Sequence, residues 1–324
     1  MITSDEVTVM ILAAVNKGLK TPPDKITYFN KKKALLFEEV NYIITQADIY
    51  FRYEEVFIPL VNSQKEVIFY ESFVDYMALG EHGGNIACLG RFINDLYETS
   101  TEIAGLFEYW LLILVYEDLK TRNLTKKVSR NFSGFFFTKF RGHLIDYFWT
   151  SEIFSNLAVE LVEDLSLDRS SITGSEAFNT FVKWCNRLKV EILVDDFGSQ
   201  CAKNYNLVNA LFRECNNFKY IKVSHETYEK QDIIADSAGE AMFFCEVMAQ
   251  AKLSLELGFV PQIVLEGVLN FEHYQTISRH FPDFQFLVQW REYNKVSKDL
   301  PLGINYAIPE MDRRYPKKRR REES

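Results

Sequence analysis

The sequence predicts an α/β domain closed into a (β/α) barrel. Short β-type runs recur along the chain, and most are continuously apolar, as strands covered on both faces are. Segments with helical spacing lie between several of them. About eight strands over about 250 residues suits a closed barrel, although periodicity alone also admits a doubly wound open sheet.

The runs are VFIPLV (56–61), EVIFYESF (66–73), KKVSRNF (126–132), LAVELVE (157–163), VEILVDDF (190–197), YIKVS (220–224), QIVLEGV (262–268) and FQFLVQW (284–290). Ahead of them, residues 1–33 read as a small helical extension closing on the basic run KKK at 31–33. From Ala34, ALLFEEVNYIITQA reads as a helix. LFEYWLLILVY (106–116) is too short to span a bilayer and contains Glu108, so it reads as a buried helix. In SEAFNTFVKWCNRL, Phe178, Phe181, Val182 and Cys185 fall on one helical face with Ser175 as N-cap. EAMFFCEVMAQAKLSLELG stops at Gly258, a C-terminal signal. The domains are then an N-terminal extension (1–33), a barrel (34–300) and a basic, disordered tail (301–324).

Composition narrows the class. The 324 residues are 47% hydrophobic and 25% charged with net charge -8, which argues against a general nucleic-acid binder. The tail RRYPKKRRREES is the exception: either a solvated end or an arm for nucleic acid, anionic lipid or an acidic partner. Five scattered cysteines without C-x-x-C spacing read as buried small residues in a reducing compartment, not a zinc site. Acidic residues near the N-terminus do not suit an export signal, so a cytoplasmic location is expected.

The polar residues at the strand ends carry the chemistry. Glu71, Asn131, Glu160, Asp195, Asp196, Lys222, Glu266 and Gln289 each close or follow an apolar run. In a barrel these ends gather at one face, where catalytic residues meet. Five carboxylates and an amide, without His or Cys, form a hard oxygen set suited to Mg²⁺, Mn²⁺ or Ca²⁺. Burying acids is costly unless cations meet them. Adjacent Asp195 and Asp196 at a strand end can reach two ions about 4 Å apart, as two-metal phosphoryl chemistry requires.

In order and surroundings these residues resemble the EAL-domain family, phosphodiesterases that hydrolyse cyclic di-GMP on a modified (β/α)8, TIM-like barrel. The resemblance spans roughly residues 34–292. Y-E-S-F-V-D-Y at 70–76 resembles E-A-L-x-R-W, Asn131-Phe132-Ser133 resembles N-x-S, and V-E-L-V-E at 159–163 resembles L-E-x-T-E. D-D-F-G at 195–198 is identical to the family's most specific motif, while I-K-V-S, L-E-G-V-L and V-Q-W resemble K-I-D, A-E-G-V-E and V-Q-G. The resemblance implies that Glu71, Asn131, Glu160, Asp195, Asp196 and Glu266 hold two Mg²⁺ or Mn²⁺ ions. It implies catalytic roles for Lys222, Glu266, Asp195 and Gln289, and pGpG as product.

The departures cluster at the substrate side. Asp75 stands where the family has a phosphate-contacting Arg, an exchange that repels a dianionic ligand by about a kcal/mol or more. Leu269 replaces the second Glu of E-G-V-E, Ile58 replaces a Gln, Ser224 replaces the Asp of K-I-D, and SQCAKNYN departs from the family's loop after D-D-F-G. That loop links metal binding to the dimer face, so a homodimer is one open partner and another protein a second. Phe73 and Asp75 are candidate substrate contacts, with Trp290 a candidate to stack on a base. Three readings follow: an active phosphodiesterase, a degenerate domain that binds cyclic di-GMP or a protein without turnover, or a phosphodiesterase for another nucleotide. No sensory or cyclase domain is expected.

Overall fold

The computed structural model describes residues 2–20, 28–60, 64–77, 89–122, 124–133, 136, 155–161, 176–197, 205–223, 249 and 262–290. Eight strands close into a barrel in chain order: β1 (Asp48–Pro59), β2 (Lys65–Met77), β3 (Lys127–Phe132), β4 (Leu157–Leu161), β5 (Ile192–Phe197), β6 (Phe218–Val223), β7 (Gln262–Val268) and β8 (Leu287–Trp290). The neighbours from β2 round to β8 are parallel. β1 runs antiparallel to both β2 and β8, which makes this a modified (β/α)8 barrel. Parallel neighbours need crossovers. These include α3 (Leu89–Thr99) and α4 (Thr101–Arg122) after β2, α5 (Glu176–Leu188) after β4, α6 (Tyr205–Glu214) after β5 and α7 (Phe271–His280) after β7. Two helices, α1 (Ser4–Lys20) and α2 (Tyr28–Thr45), precede the barrel.

All eight strands stand where the apolar runs predict them. The starts of two elements differ most. α2 starts at Tyr28 and takes in Lys31, Lys32 and Lys33, because Lys32 pairs with Asp95 of α3 (3.1 Å) and Lys33 lies over the Phe37 ring. β1 starts at Asp48, eight residues before its apolar run, because it pairs along its length with β2.

Strand side chains alternate between two faces, and here the faces divide the core in two. Val56, Phe69, Ala158, Leu193, Val264 and Leu287, each from a different strand, form a small buried cluster that fills the barrel's interior. The intervening residues, among them Phe57, Val128, Val159, Val194, Ile221 and Val288, join the larger cluster between strands and helices. α4 explains its sequence: buried from Ile103 to Ile113, it has no solvated face over those turns. Among the described residues no helix is long and apolar enough to cross a membrane.

α5 buries Phe181, Val182 and Cys185, as its spacing predicts, and the Phe178 side chain lies outside the described residues. Cys185 and Cys215 are free and buried, and burial pushes both thiols up. The Ser175 cap, the helix ending at Gly258, and the tail 301–324 lie outside the described residues.

α1 packs Val7, Ile11 and Val15, spaced one turn apart, into the core. Its Gly18 is a point of close approach: a Cβ there would meet Phe37 Cε2 of α2 at 2.5 Å, and that ring is buried. Gly18→Ala is therefore expected to lower Tm. Overpacking of about 1–3 kcal/mol outweighs the helix-propensity gain of about 1 kcal/mol. A rise in Tm would show that α1 and α2 can part at no cost.

Candidate metal centre

Each strand that fills the barrel interior carries a polar residue two positions further toward the carboxyl ends of the parallel strands. Phe69 is followed by Glu71, Ala158 by Glu160, Leu193 by Asp195, Val264 by Glu266 and Leu287 by Gln289. β6 does the same with Tyr220 and Lys222, and antiparallel β1 supplies Glu54 two residues before Val56. A polar layer thus lies on an apolar one, about 7 Å apart for two residues of strand.

Lys222 stands at its centre. Its ammonium donates to Glu71 Oε2 (3.0 Å) and Asp195 Oδ1 (2.8 Å), pairs with Glu266 Oε1 (2.8 Å), and bonds Glu160 as well. Burial alone would push the Lys222 ammonium down; Asp195, Glu160, Glu266 and Glu71 together outweigh this and hold it well above its usual value. Burial, then the Glu71 charge, raises the Glu160 carboxyl well above the carboxylate range despite Lys222. One ammonium facing four carboxylates leaves a formal charge of three negatives in a site where Glu71, Glu160 and Lys222 are almost wholly covered.

Hydrogen bonds fix the acids. Asn131 Nδ2 donates to Glu71 Oε1 (3.1 Å), and Gln289 Nε2 donates to Glu71 Oε2 (2.8 Å) and to Glu54 Oε2 (2.9 Å). The Ser129 hydroxyl donates to Glu160 Oε2 (2.6 Å), and Ser72 donates to the Ser129 carbonyl (2.8 Å). Burial raises the Glu54 carboxyl, with Arg52 and Gln289 opposing.

The layer fits a hard divalent cation. Oxygens of Glu71, Glu160 and Asp195 lie within 4.8 Å of one another. Asn131 Oδ1 and Gln289 Oε1 are buried amide oxygens without a hydrogen-bond partner among the described residues. A buried acceptor left unmatched costs about 1–3 kcal/mol, and an oxygen-seeking cation is the partner this donor set lacks.

Two bulges sit at the acids. From Val194 to Phe197, β5 advances three residues while β6 advances two, which puts Asp195 and Asp196 in the irregularity. From Leu265 to Val268, β7 does the same against β8, at Glu266 and Gly267. Gly267 has φ 68°, a left-handed conformation that glycine adopts without a Cβ penalty. Bulges re-aim side chains; here they mark the two strands whose acids meet Lys222 from the later half of the barrel.

A closed eight-strand barrel with an antiparallel first strand and this polar layer can be set beside solved structures. An S helix-GGDEF-EAL structure of Vibrio cholerae LapD, bound to c-di-GMP, superposes with a TM-score of 0.57 at 15% identity, covering 84% of this chain and 59% of that one. This is the EAL-domain fold. The EAL enzyme Bd1971, in a cAMP-bound form, superposes with a TM-score of 0.55 at 15% identity, covering 91% of this chain and 73% of that one. This chain thus spans less than two thirds of the LapD structure's length. No family model matches the sequence, and no curated protein does.

Of the residues proposed from sequence, the EAL barrel gathers Glu71, Asn131, Glu160, Asp195, Lys222, Glu266 and Gln289 into one layer. Asp196 lies on β5 and Asp75 on β2 opposite Tyr50, but both side chains lie outside the described residues. Ser224, Gly198 and most of the loop after it also lie outside them. Phe73 is half-buried one pleat above Glu71. Trp290, next to Gln289 and on the opposite face, packs on Phe57 with ring centroids 5.1 Å apart, so it is not in the layer. Leu269 is exposed, just before the Asn270 cap of α7. Sequence reasoning missed Glu54 and Ser129. Both obey the same alternation, two residues before Val56 and two before Asn131.

Proposed function

We propose that this chain is a metal-dependent phosphodiesterase that opens a cyclic dinucleotide, with cyclic di-GMP the substrate and linear pGpG the product. The observation that carries the reading is the polar layer: hard oxygen donors from five strands, two with orphaned amide oxygens beside them, at the carboxyl end of an EAL-type barrel. The likeness to a LapD structure bound to c-di-GMP supports the choice of ligand.

Glu71, Asn131, Glu160 and Asp195, with Asp196 and Glu266, would hold Mg²⁺ or Mn²⁺. Bound there, the ions would lower the pKa of water and offset charge building on the phosphate oxygens. The chain's own groups do the rest. Lys222, held by four carboxylates, has little rotamer freedom left and orients the attacking water. Gln289 and Asn131 pin the two Glu71 oxygens from opposite sides. Glu266, at 16% the most exposed of the four acids, is the one placed to pass a proton to solvent.

Purified chain with cyclic di-GMP and Mn²⁺ is expected to yield pGpG, resolved chromatographically. Asp195→Asn should slow turnover by at least about a hundredfold, since even groups that only support metal ligands cost 10–100-fold. A second reading, binding without turnover, is favoured by Leu269, an exposed apolar side chain where the resemblance expects an acid. Metal-dependent binding in calorimetry without product would select it. Neither product nor binding removes cyclic di-GMP as the ligand and leaves another nucleotide or a protein.

A further inference from the structure

The β1–β2 ribbon rises from the acid layer toward the barrel's mouth. Residues opposite each other in an antiparallel pair share a face, so Glu54 with Glu71 and Arg52 with Phe73 form two successive steps on the inner face. Arg52 is thus one step, about 7 Å, above the carboxylates. Its guanidinium lies 4.4 Å from the centre of the Phe73 ring and pairs through Nη1 with Glu54, and it remains 29% exposed.

That placement answers an electrostatic problem. A phosphodiester approaching this layer meets Glu71, Glu160, Asp195 and Glu266, and the cation among them, Lys222, is 1% exposed and already bound to all four. Beside any ions the acids hold, an anionic ligand gains from a fixed cation at the rim, ahead of the acids. The Phe73 ring supports one face of the Arg52 guanidinium and Glu54 fixes one edge. The other N–H groups have no protein acceptor among the described residues. A guanidinium held this way presents a planar fork matched to two phosphate oxygens. Glu54 in turn accepts from Gln289, which also donates to Glu71, so a ligand at Arg52 is joined to the acid layer through two side chains.

We propose that Arg52 is the phosphate-binding residue of this site, taking the phosphodiester oxygens of the dinucleotide and setting its position over the carboxylates. The proposal rests on the phosphodiesterase reading, and the test separates the two. Steady-state kinetics with cyclic di-GMP and Mn²⁺, or calorimetric Kd if the chain binds without turnover, are compared for wild type, Arg52→Gln and Arg52→Lys. Loss of a charge-assisted contact should raise KM or Kd by about 10–100-fold in Arg52→Gln, leave kcat within about threefold, and leave Mn²⁺ binding without nucleotide unchanged. Arg52→Lys should recover part of the affinity, as a point charge without the fork. Wild-type activity with an unaltered KM in Arg52→Gln overturns the role of Arg52 and leaves the enzyme standing. A weakened Mn²⁺ affinity with unaltered KM also overturns it, by showing that Arg52 acts only on Glu54. A wild-type chain that neither binds nor hydrolyses the dinucleotide removes both.

Discussion

Lys222→Met is expected to destabilise the chain by at least about 3–5 kcal/mol in the presence of a chelator, the cost of removing one partner from a buried ion pair. Four carboxylates now share the Lys222 ammonium. Without it their formal charge rises from three negatives to four in a covered site, and the layer must bind cations or protons. Mn²⁺ should therefore stabilise the variant more than the wild type, because the ammonium no longer competes for the same oxygens; by linkage, Mn²⁺ at about a hundred times its Kd adds about 2.7 kcal/mol. The deficit should also grow with pH. Glu160 already holds its proton well above the usual range, and losing the ammonium pushes it higher still. Carboxyls protonated when folded and ionised when unfolded make stability fall as pH rises. Urea unfolding with chelator and with Mn²⁺, at acid and alkaline pH, measures all three. A variant as stable as wild type in chelator, or one indifferent to Mn²⁺, would show that the ammonium does not balance the acids.

The barrel and most of the candidate site were legible in the sequence for one physical reason. Strands covered on both faces are continuously apolar, so a polar residue at the end of such a run must face either solvent or a functional group. Glu71, Asn131, Glu160, Asp195, Lys222, Glu266 and Gln289 all broke their runs in this way, and the structure gathers all seven. What stayed hidden lacked that contrast. The first residues of β1, DIYFRYEE, mix polar, aromatic and aliphatic residues and form no apolar run, because this stretch pairs as an antiparallel ribbon with β2. No apolar run exposes Glu54 or Arg52. The bulges at Asp195 and at Glu266 depend on register against β6 and β8, which one strand's sequence does not encode. Trp290 is a candidate in the sequence to stack on a base, yet the alternation that turns Gln289 inward turns Trp290 toward Phe57. Glu108 reads in the sequence as no more than a charge that breaks a membrane span; the cation whose charge acts on it, Arg130, comes from another element.

Glu108→Gln should stabilise the chain at alkaline pH and change it little in acid. Glu108 lies on α4, fully enclosed by the layer between helices and barrel. Burial raises its carboxyl to about 8, and the Arg130 guanidinium, the Ser133 backbone N–H and the Tyr97 hydroxyl pull the other way without prevailing. Arg130, itself buried on β3, is pushed down by the same desolvation while the charges of Glu108 and Glu160 draw it up. The sign follows from proton counting. Below the ordinary Glu pKa of about 4.3 both folded and unfolded chains carry the proton, and the contribution of Glu108 is fully present. Between there and about 8 the folded chain keeps a proton that the unfolded chain has released, so stability falls as pH rises. Above about 8 both are ionised and the loss is complete. At about 1.4 kcal/mol per pH unit the loss is on the order of a few kcal/mol. Gln keeps the shape and carries no charge, so its urea midpoint should be flat across that window while the wild type declines. Parallel curves for the two proteins would place the ionised carboxylate in a native pairing with Arg130, strong enough to cancel its burial.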